Sequence, residues 1–158
     1  MTQLKEEPVA EGQTAPDFNL KSDDGRSYSL SEFKGKKEVV LYFYPEDDTP
    51  GCTKEACSFR DSLSRLTSSG VQVLGVSHNS LEDHQKFREK HSLNFPLLVD
   101  SDNKAAKKYG VYKMKNTFGN THMGIERSTF IIDRDGKIKK AFRKVRVDGH
   151  VDEVMKSL

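Results

Sequence analysis

A short apolar run followed by a loop and a helical pattern constrains the fold of this chain more than any other feature. Residues 38–44 are rich in β-branched and aromatic side chains and predict a buried strand. Prolines and a glycine between residues 45 and 51 indicate a loop. A helix is then expected from Cys52 to about Ser68. The pattern therefore places Cys52 at a strand-to-helix turn.

The rest of the chain alternates between strand and helix patterns. Residues 1–14 are expected to be loosely ordered, a turn at 23–25 predicts a small N-terminal hairpin, and residues 117–124 suit a mobile loop. Further strands are predicted at 71–77, 96–100, 128–133 and 137–145, and helices at 80–91, at 103–109 and at the C-terminus. Successive strand–helix units followed by an antiparallel hairpin give an α/β fold with a central mixed sheet flanked by helices, in a single domain over residues 1–158.

Charge and hydropathy exclude several classes of partner. The formal net charge is only +2, and no apolar run approaches the roughly 20 residues of a membrane span. A basic cluster at 137–146 is interleaved with apolar residues on a predicted hairpin, so we interpret it as a solvated sheet face and expect no nucleic-acid partner. His150 is placed at a helix start and is assigned no chemistry.

The chain's two cysteines, Cys52 and Cys57, are its candidate reactive groups. At a helix N-terminus the unpaired N–H groups and the positive end of the helix dipole favour an anion. Cys52 is therefore placed where a reactive thiolate is stabilised. An ordinary small buried side chain is the plain alternative for either cysteine.

A structural disulfide and a zinc site are further uses of two nearby cysteines. Five residues along a helix separate two Cα atoms by roughly 8 to 9 Å, whereas a disulfide needs less than about 7 Å. A Cys52–Cys57 disulfide thus requires the first turns of the helix to unwind, which suits a bond that forms and breaks in a cycle. We expect no metal, because the cysteine spacing is not that of a zinc site and no histidine lies at i, i+4 beside them.

The residues around Cys52 also match a known motif. Pro45, Thr49 and Cys52 fit the pattern P-x-x-x-[TS]-x-x-C, with Cys57 and the later Arg127 also in place. The chain resembles the peroxiredoxins, in particular the peroxiredoxin Q branch, also called the bacterioferritin comigratory protein type. The resemblance extends over nearly the whole chain and implies a thioredoxin-like fold.

The resemblance implies a role for each of these residues. Cys52 is expected to be the peroxidatic cysteine, which peroxide converts to a sulfenic acid, and Cys57 the resolving cysteine. Arg127 is expected to keep the thiolate ionised. Thr49 is expected to hydrogen-bond the thiolate and the incoming peroxide, with a helix N-cap as its structural alternative. Pro45 is expected to shield the pocket.

The implied activity is that of a thiol-dependent peroxidase that reduces hydrogen peroxide and organic hydroperoxides without a cofactor. The Cys52–Cys57 disulfide would form within one chain, in a monomer, and would be reduced by thioredoxin or a similar dithiol. Such a cycle needs a reducing compartment. Since the N-terminal residues resemble neither a signal nor a transit peptide, we expect a cytoplasmic location, and a processed organellar form stays open.

Two other classes of function are compatible with the chain. A thiol–disulfide oxidoreductase or redox relay would exchange disulfides with partner proteins, although its usual Cys-x-x-Cys spacing is absent and Thr49 and Arg127 would have no task. A non-enzymatic chaperone or structural module would use the fold alone. That module would keep its activity when Cys52 is replaced by serine.

Overall fold

The computed structural model describes residues 9–158 of the chain. In chain order, the elements are β1 (Asn19–Lys21), β2 (Ser27–Ser29), a 3-10 helix (Leu30–Phe33), β3 (Glu38–Phe43), α1 (Pro50–Ser68), β4 (Val71–Ser77), α2 (Leu81–His91), β5 (Leu97–Val99), α3 (Lys104–Lys108), β6 (Tyr112–Thr117), β7 (Asn120–Ile125), β8 (Ser128–Ile132), β9 (Ile138–Phe142) and α4 (His150–Lys156). None of the helices within residues 9–158 is both long enough and apolar enough to span a bilayer.

A five-stranded sheet lies at the centre of the molecule, in the order β5-β4-β3-β8-β9. Strands β3, β4 and β5 are parallel, whereas β8 is antiparallel to β3 and β9 is antiparallel to β8. Neighbouring parallel strands need a crossover connection, and α1 and α2 provide the two crossovers here. The mixed sheet flanked by helices that the sequence predicts is confirmed.

Strand β3 is buried on both faces because each face of the sheet carries its own apolar layer. Val39, Leu41 and Phe43 point into the layer that includes α3 and the 3-10 helix. The alternate residues point into the layer formed with α1, α2 and α4, which also contains Cys52; they are Val40, Tyr42 and Tyr44. This double burial explains why the strand appears in the sequence as a continuous apolar run rather than an alternating one.

The predicted elements of the sheet are confirmed with small shifts at their ends. Strand β4 has the predicted bounds, and α1 begins two residues before Cys52 at Pro50. Helix α2 begins as the capping pattern indicates, since the Ser80 hydroxyl accepts a hydrogen bond from the Asp83 N–H at 3.1 Å. Most other ends differ from the prediction by one residue, whereas the strand predicted at 137–145 is shorter, since β9 ends at Phe142.

The mobile loop predicted at residues 117–124 is wrong. Strands β6 and β7 pair there in a regular antiparallel hairpin, from Tyr112↔Ile125 to Thr117↔Asn120. Phe118 and Gly119 form the turn with φ of 51° and 81°, a pair of positive values typical of two-residue hairpin loops. Because most of β7 is exposed, its sequence lacks the apolar alternation that predicts a strand.

A loosely ordered segment is expected at residues 1–14, and its first eight residues lie outside the part of the chain that the structure describes. The segment from Ala10 to Ala15 is held in place instead. Its backbone bonds to the strand edge near β9, with Gly12 N–H donating to Ile138 C=O at 2.7 Å and Ile138 N–H donating to Gln13 C=O at 2.8 Å. The predicted N-terminal hairpin is present as β1 and β2.

Candidate active site

Cys52 lies in the first turn of α1, at the carboxyl end of β3. Thr49 is the N-cap residue with extended backbone angles, and Pro50 occupies the first helical position, where its missing N–H and fixed φ suit the helix. Cys52 is third in the helix and is 1% exposed. Its sulfur is therefore screened from bulk water and close to the free N–H groups and the positive end of the dipole.

The structure brings Arg127 together with Cys52. The guanidinium donates from Nη2 to the Cys52 Sγ at 3.2 Å and from Nη1 to the Glu55 Oε1 at 2.6 Å. Its side chain is 16% exposed. One cation thus contacts both the thiol and a buried carboxylate, and it stabilises negative charge on either.

The sheet register explains how residues 75 positions apart meet. Ser128 pairs with Phe43 at the end of β3, so the preceding residue, Arg127, reaches the loop that leads into α1. Gly51 makes the approach possible. A Cβ built on Gly51 would lie 3.3 Å from Nη2 of Arg127, tighter than an ordinary contact, so a glycine there leaves room for the guanidinium.

Thr49 lies at the N-cap, but its hydroxyl has a different partner from those expected. Its Oγ1 donates to the Glu46 carbonyl at 3.0 Å, and the helix start has no side-chain cap bond. The hydroxyl hydrogen is thus used in the bond to a carbonyl three residues earlier. The oxygen of Thr49 keeps its lone pairs, so in this state it can accept a hydrogen bond from a peroxide.

Pro45 lines a cavity of about 240 Å³ between the loop after β3 and the β6–β7 hairpin. Apolar side chains of the hairpin form the other wall, with Tyr112, Met123 and Ile125. Lys115 also faces this cavity, and burial together with the positive charge of Arg127 lowers its pKa. The structure thus places Pro45 beside an opening near the Arg127 site.

Cys57 lies five residues after Cys52 in the same helix, half-buried, and both thiols are free. An unbroken helix holds their Cα atoms about 8 to 9 Å apart. This exceeds the separation that a disulfide tolerates. The reduced protein is therefore one in which the two thiols are near each other but cannot bond without a change in α1.

Glu55 is a site residue that the sequence reasoning missed. It is 0% exposed, and its Oε2 has no hydrogen-bond partner among the described residues. Burial raises the pKa of Glu55 to about 7, although Arg127 pulls it the other way. The available signal was its position three residues after Cys52, which places both on one face of α1. The side chain therefore titrates near neutral pH while sharing Arg127 with the thiol.

We predict that Glu55→Gln removes a pH-dependent loss of stability. Below pH 4.5 the carboxyl is neutral in both folded and unfolded protein. Between 4.5 and about 7 only the folded protein retains the proton, so stability falls as the pH rises, by about 3 kcal/mol in total. The glutamine keeps an acceptor for Arg127 without the charge.

Urea denaturation from pH 4 to 8 would test this. The free energy of unfolding of Glu55→Gln should rise relative to that of the wild type between pH 4.5 and about 7, and it should stay higher above that range. Glu89→Gln, at an exposed position of α2, should show the same pH dependence as the wild type. Parallel stability curves for wild type and Glu55→Gln would show that the buried carboxyl does not titrate in this range.

The chain is similar in sequence to known proteins. A model of the AhpC/TSA family matches residues 11–141. A putative peroxiredoxin Bcp of Coxiella burnetii is 56% identical over 144 residues, covering 91% of this chain and 95% of its own. The peroxiredoxin Bcp of Bacillus subtilis is 52% identical over 147 residues, covering 93% of each.

Solved structures show the same arrangement of the backbone. The bacterioferritin comigratory protein of Xanthomonas campestris, a structure concerned with alkyl peroxide reduction, superimposes with a TM-score of 0.87 at 36% identity. The match covers 94% of this chain and 96% of the other. The fold is thus shared over almost the full length of both.

Proposed function

Because this chain belongs to the AhpC/TSA family, as a Bcp-type peroxiredoxin, it is a thiol-dependent peroxidase, and we propose that Cys52 is its peroxidatic and Cys57 its resolving cysteine. The observation that carries this assignment is the contact at 3.2 Å between the Arg127 guanidinium and the Cys52 sulfur. Of the two thiols, that of Cys52 lies at the helix start in contact with a partly buried cation.

The first step converts the peroxide bond into a sulfur–oxygen bond. The Cys52 thiolate attacks one peroxide oxygen, the O–O bond breaks, and its electron pair leaves with the second oxygen. That oxygen takes a proton and departs as water or an alcohol, leaving a sulfenic acid on Cys52. Arg127 stabilises the thiolate and the charge that develops on the oxygens, and Thr49 accepts a hydrogen bond from the peroxide.

The second step closes the disulfide. The Cys57 sulfur attacks the sulfenic sulfur, the S–O bond breaks, and hydroxide leaves as water with the proton of the thiol. Since α1 keeps the two residues too far apart, its first turns unwind before this step. Further peroxide competes with unwinding by oxidising the sulfenic acid to a sulfinic acid.

Hydrogen peroxide and organic hydroperoxides are the proposed substrates. The structure of the similar Xanthomonas protein concerns alkyl peroxide reduction, which supports organic hydroperoxides as substrates of this chain. A thioredoxin-type dithiol is the proposed reductant, which places the protein in a reducing compartment such as the cytoplasm. Both cysteines lie on one helix, so the cycle needs no second subunit and we propose a monomer.

We predict that Cys57→Ser leaves the first step intact and blocks the second. Stopped-flow mixing of the reduced protein with hydrogen peroxide, followed by mass spectrometry, should show rapid oxidation of Cys52 in both proteins. The wild type should end as the Cys52–Cys57 disulfide, and the variant as a sulfenic acid and then a sulfinic acid. Oxidation at the rate of an ordinary free thiol would contradict the role of Cys52 and favour a redox relay.

A further inference from the structure

The loop between β3 and Cys52 contains three consecutive acidic residues, each of which faces a different histidine. The pairs are Glu46 with His78 at 3.5 Å, Asp47 with His84 at 2.5 Å and Asp48 with His91 at 3.0 Å. Three of the five histidines in the chain therefore contact this one loop. No step of the peroxidase reaction described above uses any of them.

The central pair differs from the outer two in burial. The side chains of His84 and Asp47 are 0% and 5% exposed, whereas both acids of the outer pairs are about half exposed. Exposed ion pairs contribute little, because water screens them. A buried pair is costly to disrupt, since it leaves a charge without a partner. Asp47 and His84 are therefore the pair that can fix the loop.

The contacts of His84 determine how many protons this pair holds. Its Nε2 lies 2.9 Å from the Leu98 carbonyl, which can only accept, so Nε2 carries a proton. Its Nδ1 lies 2.5 Å from the Asp47 Oδ2, a contact that requires a second proton between the two atoms. The pair therefore holds two protons, whichever of the two atoms carries the second. Removing one would leave two lone pairs facing each other.

The groups around the pair complete its hydrogen bonds. From the end of β3, the Tyr44 hydroxyl donates to the Asp47 Oδ1 at 2.6 Å. Burial and the Asp47 carboxylate raise the pKa of Tyr44 well above its usual value, so it stays a donor. From α2, Asp83 is bound to Asn79 instead of His84, and β5 contributes the neutral Leu98 carbonyl. Among the described residues that contact the ring, Asp47 carries the opposite charge.

The pair is connected to Cys52 through a short, constrained piece of backbone. Asp47 precedes the N-cap Thr49 by two residues, and its own N–H donates to the Asn79 side chain at 2.9 Å. Asp48 has a φ of 62°, a left-handed value that aspartate tolerates better than most residues, and its carboxylate contacts Lys90 and His91 of α2. The start of α1 is thus tied on one side to α2 and β5 through Asp47.

We propose that Asp47 and His84 are positioning residues for Cys52: the buried, charge-assisted hydrogen bond between them holds the loop that sets the start of α1, and weakening it loosens the loop. This rests on the proposed role of Cys52. The loop that the pair secures is also the one adjoining the helix turns that unwind for disulfide formation. The intact bond therefore favours the folded, peroxide-reactive state, and its loss favours the unwound state.

Asp47→Asn tests the proposal with little change in shape. The asparagine can still accept from Tyr44, and its amide can donate to the Nδ1 of a neutral His84, so both bonds stay in place but become neutral, which makes them roughly half as strong. We expect Cys52 oxidation by hydrogen peroxide to slow by about 10- to 100-fold, because the loop is held less firmly and small misplacements of reacting groups cost that much. The disulfide should then form faster from the sulfenic acid.

Asp48→Asn is the matched control, since it makes the same charge change at the adjacent, exposed residue. Its rates of Cys52 oxidation and of disulfide formation should stay within about twofold of those of the wild type. Nitrogen-15 NMR of the wild type supplies a readout that a purely structural role would not move. The wild-type His84 ring should show protons at both nitrogens or one shared with Asp47, and the ring in Asp47→Asn should show a single proton, on Nε2.

The outcomes separate the two proposals. If the wild type itself reacts like a free thiol, the role of Cys52 fails. If the wild type is fast and Asp47→Asn matches both it and Asp48→Asn, the positioning role is overturned. If Asp47→Asn does not fold, Tyr44→Phe, which removes one donor to Asp47, decides. A Tyr44→Phe oxidation rate equal to that of the wild type overturns the proposal.

Discussion

Arg127→Met should slow the oxidation of Cys52 by hydrogen peroxide about 100- to 1,000-fold, the loss typical of removing one preorganised donor from a charge-developing site. Methionine has a similar reach but carries no charge and no N–H, so the hydrogen bond to the Cys52 sulfur disappears. The thiolate loses the partly buried guanidinium that contacts it, so the charge that moves from sulfur to the peroxide oxygens is stabilised less. Stopped-flow kinetics of the reduced wild type and variant with hydrogen peroxide would measure this effect.

The Arg127→Met experiment needs a control for Glu55, because Arg127 also contacts that carboxylate. Without Arg127, Glu55 would be buried with no cation; its pKa would rise further, and the fraction that stayed ionised would repel a thiolate. Comparing Arg127→Met with the double variant Arg127→Met/Glu55→Gln separates this repulsion from the direct loss of the donor. If the double variant recovered the wild-type rate, Arg127 would act only by neutralising Glu55. Equal rates in the single variant and the wild type would remove Arg127 from the site.

The parts of the fold that could be predicted from the sequence are those in which local pattern and burial agree. Strand β4 and helix α2 have, respectively, a continuous apolar run and a clear cap at Ser80, and both are found where predicted. The β6–β7 hairpin has neither signal. Its strands form a separate two-stranded sheet and β7 is largely exposed, so the spacing of apolar residues does not mark this hairpin.

Some residues of the candidate site could likewise be predicted from the sequence, and others could not. The motif indicated Cys52 and Arg127, and the structure brings them into contact. Glu55, Asp47 and His84 gave no such indication, because charged residues are normally exposed and the sequence does not reveal which ones the fold buries. Their burial depends on the packing of α1 and α2 against the sheet. Long-range packing of this kind has no local pattern.

Gly51 illustrates how one local feature serves two purposes. In the sequence, Gly51 indicates a loop before the helix. In the structure it is the second residue of α1, where the absence of a Cβ lets the Arg127 guanidinium lie against the first turn. The contact between a strand and a helix start thus depends on a residue that neither element's own pattern requires.

Oxidation to the Cys52–Cys57 disulfide should unwind the first turns of α1 and raise amide hydrogen exchange over residues 52–60 by about 100-fold or more, since opened turns have little free energy of opening. The reason is geometric. The helix separates the Cα atoms by about 8 to 9 Å, and the bond needs less than about 7 Å. Cys52 must also leave the layer in which it is buried beside Ala56 and Phe59.

Hydrogen exchange with mass spectrometry of the reduced and oxidised proteins would measure this, with α2 as the internal reference because it carries neither cysteine. Cys57→Ser treated with peroxide is the second control: its sulfenic acid has no disulfide to form, so α1 should stay protected. Unchanged exchange over residues 52–60 in the disulfide form would mean that an intact helix tolerates the bond. Resolution would then need no unwinding, and the anchoring of the loop by Asp47 and His84 would have no bearing on the rate of disulfide formation.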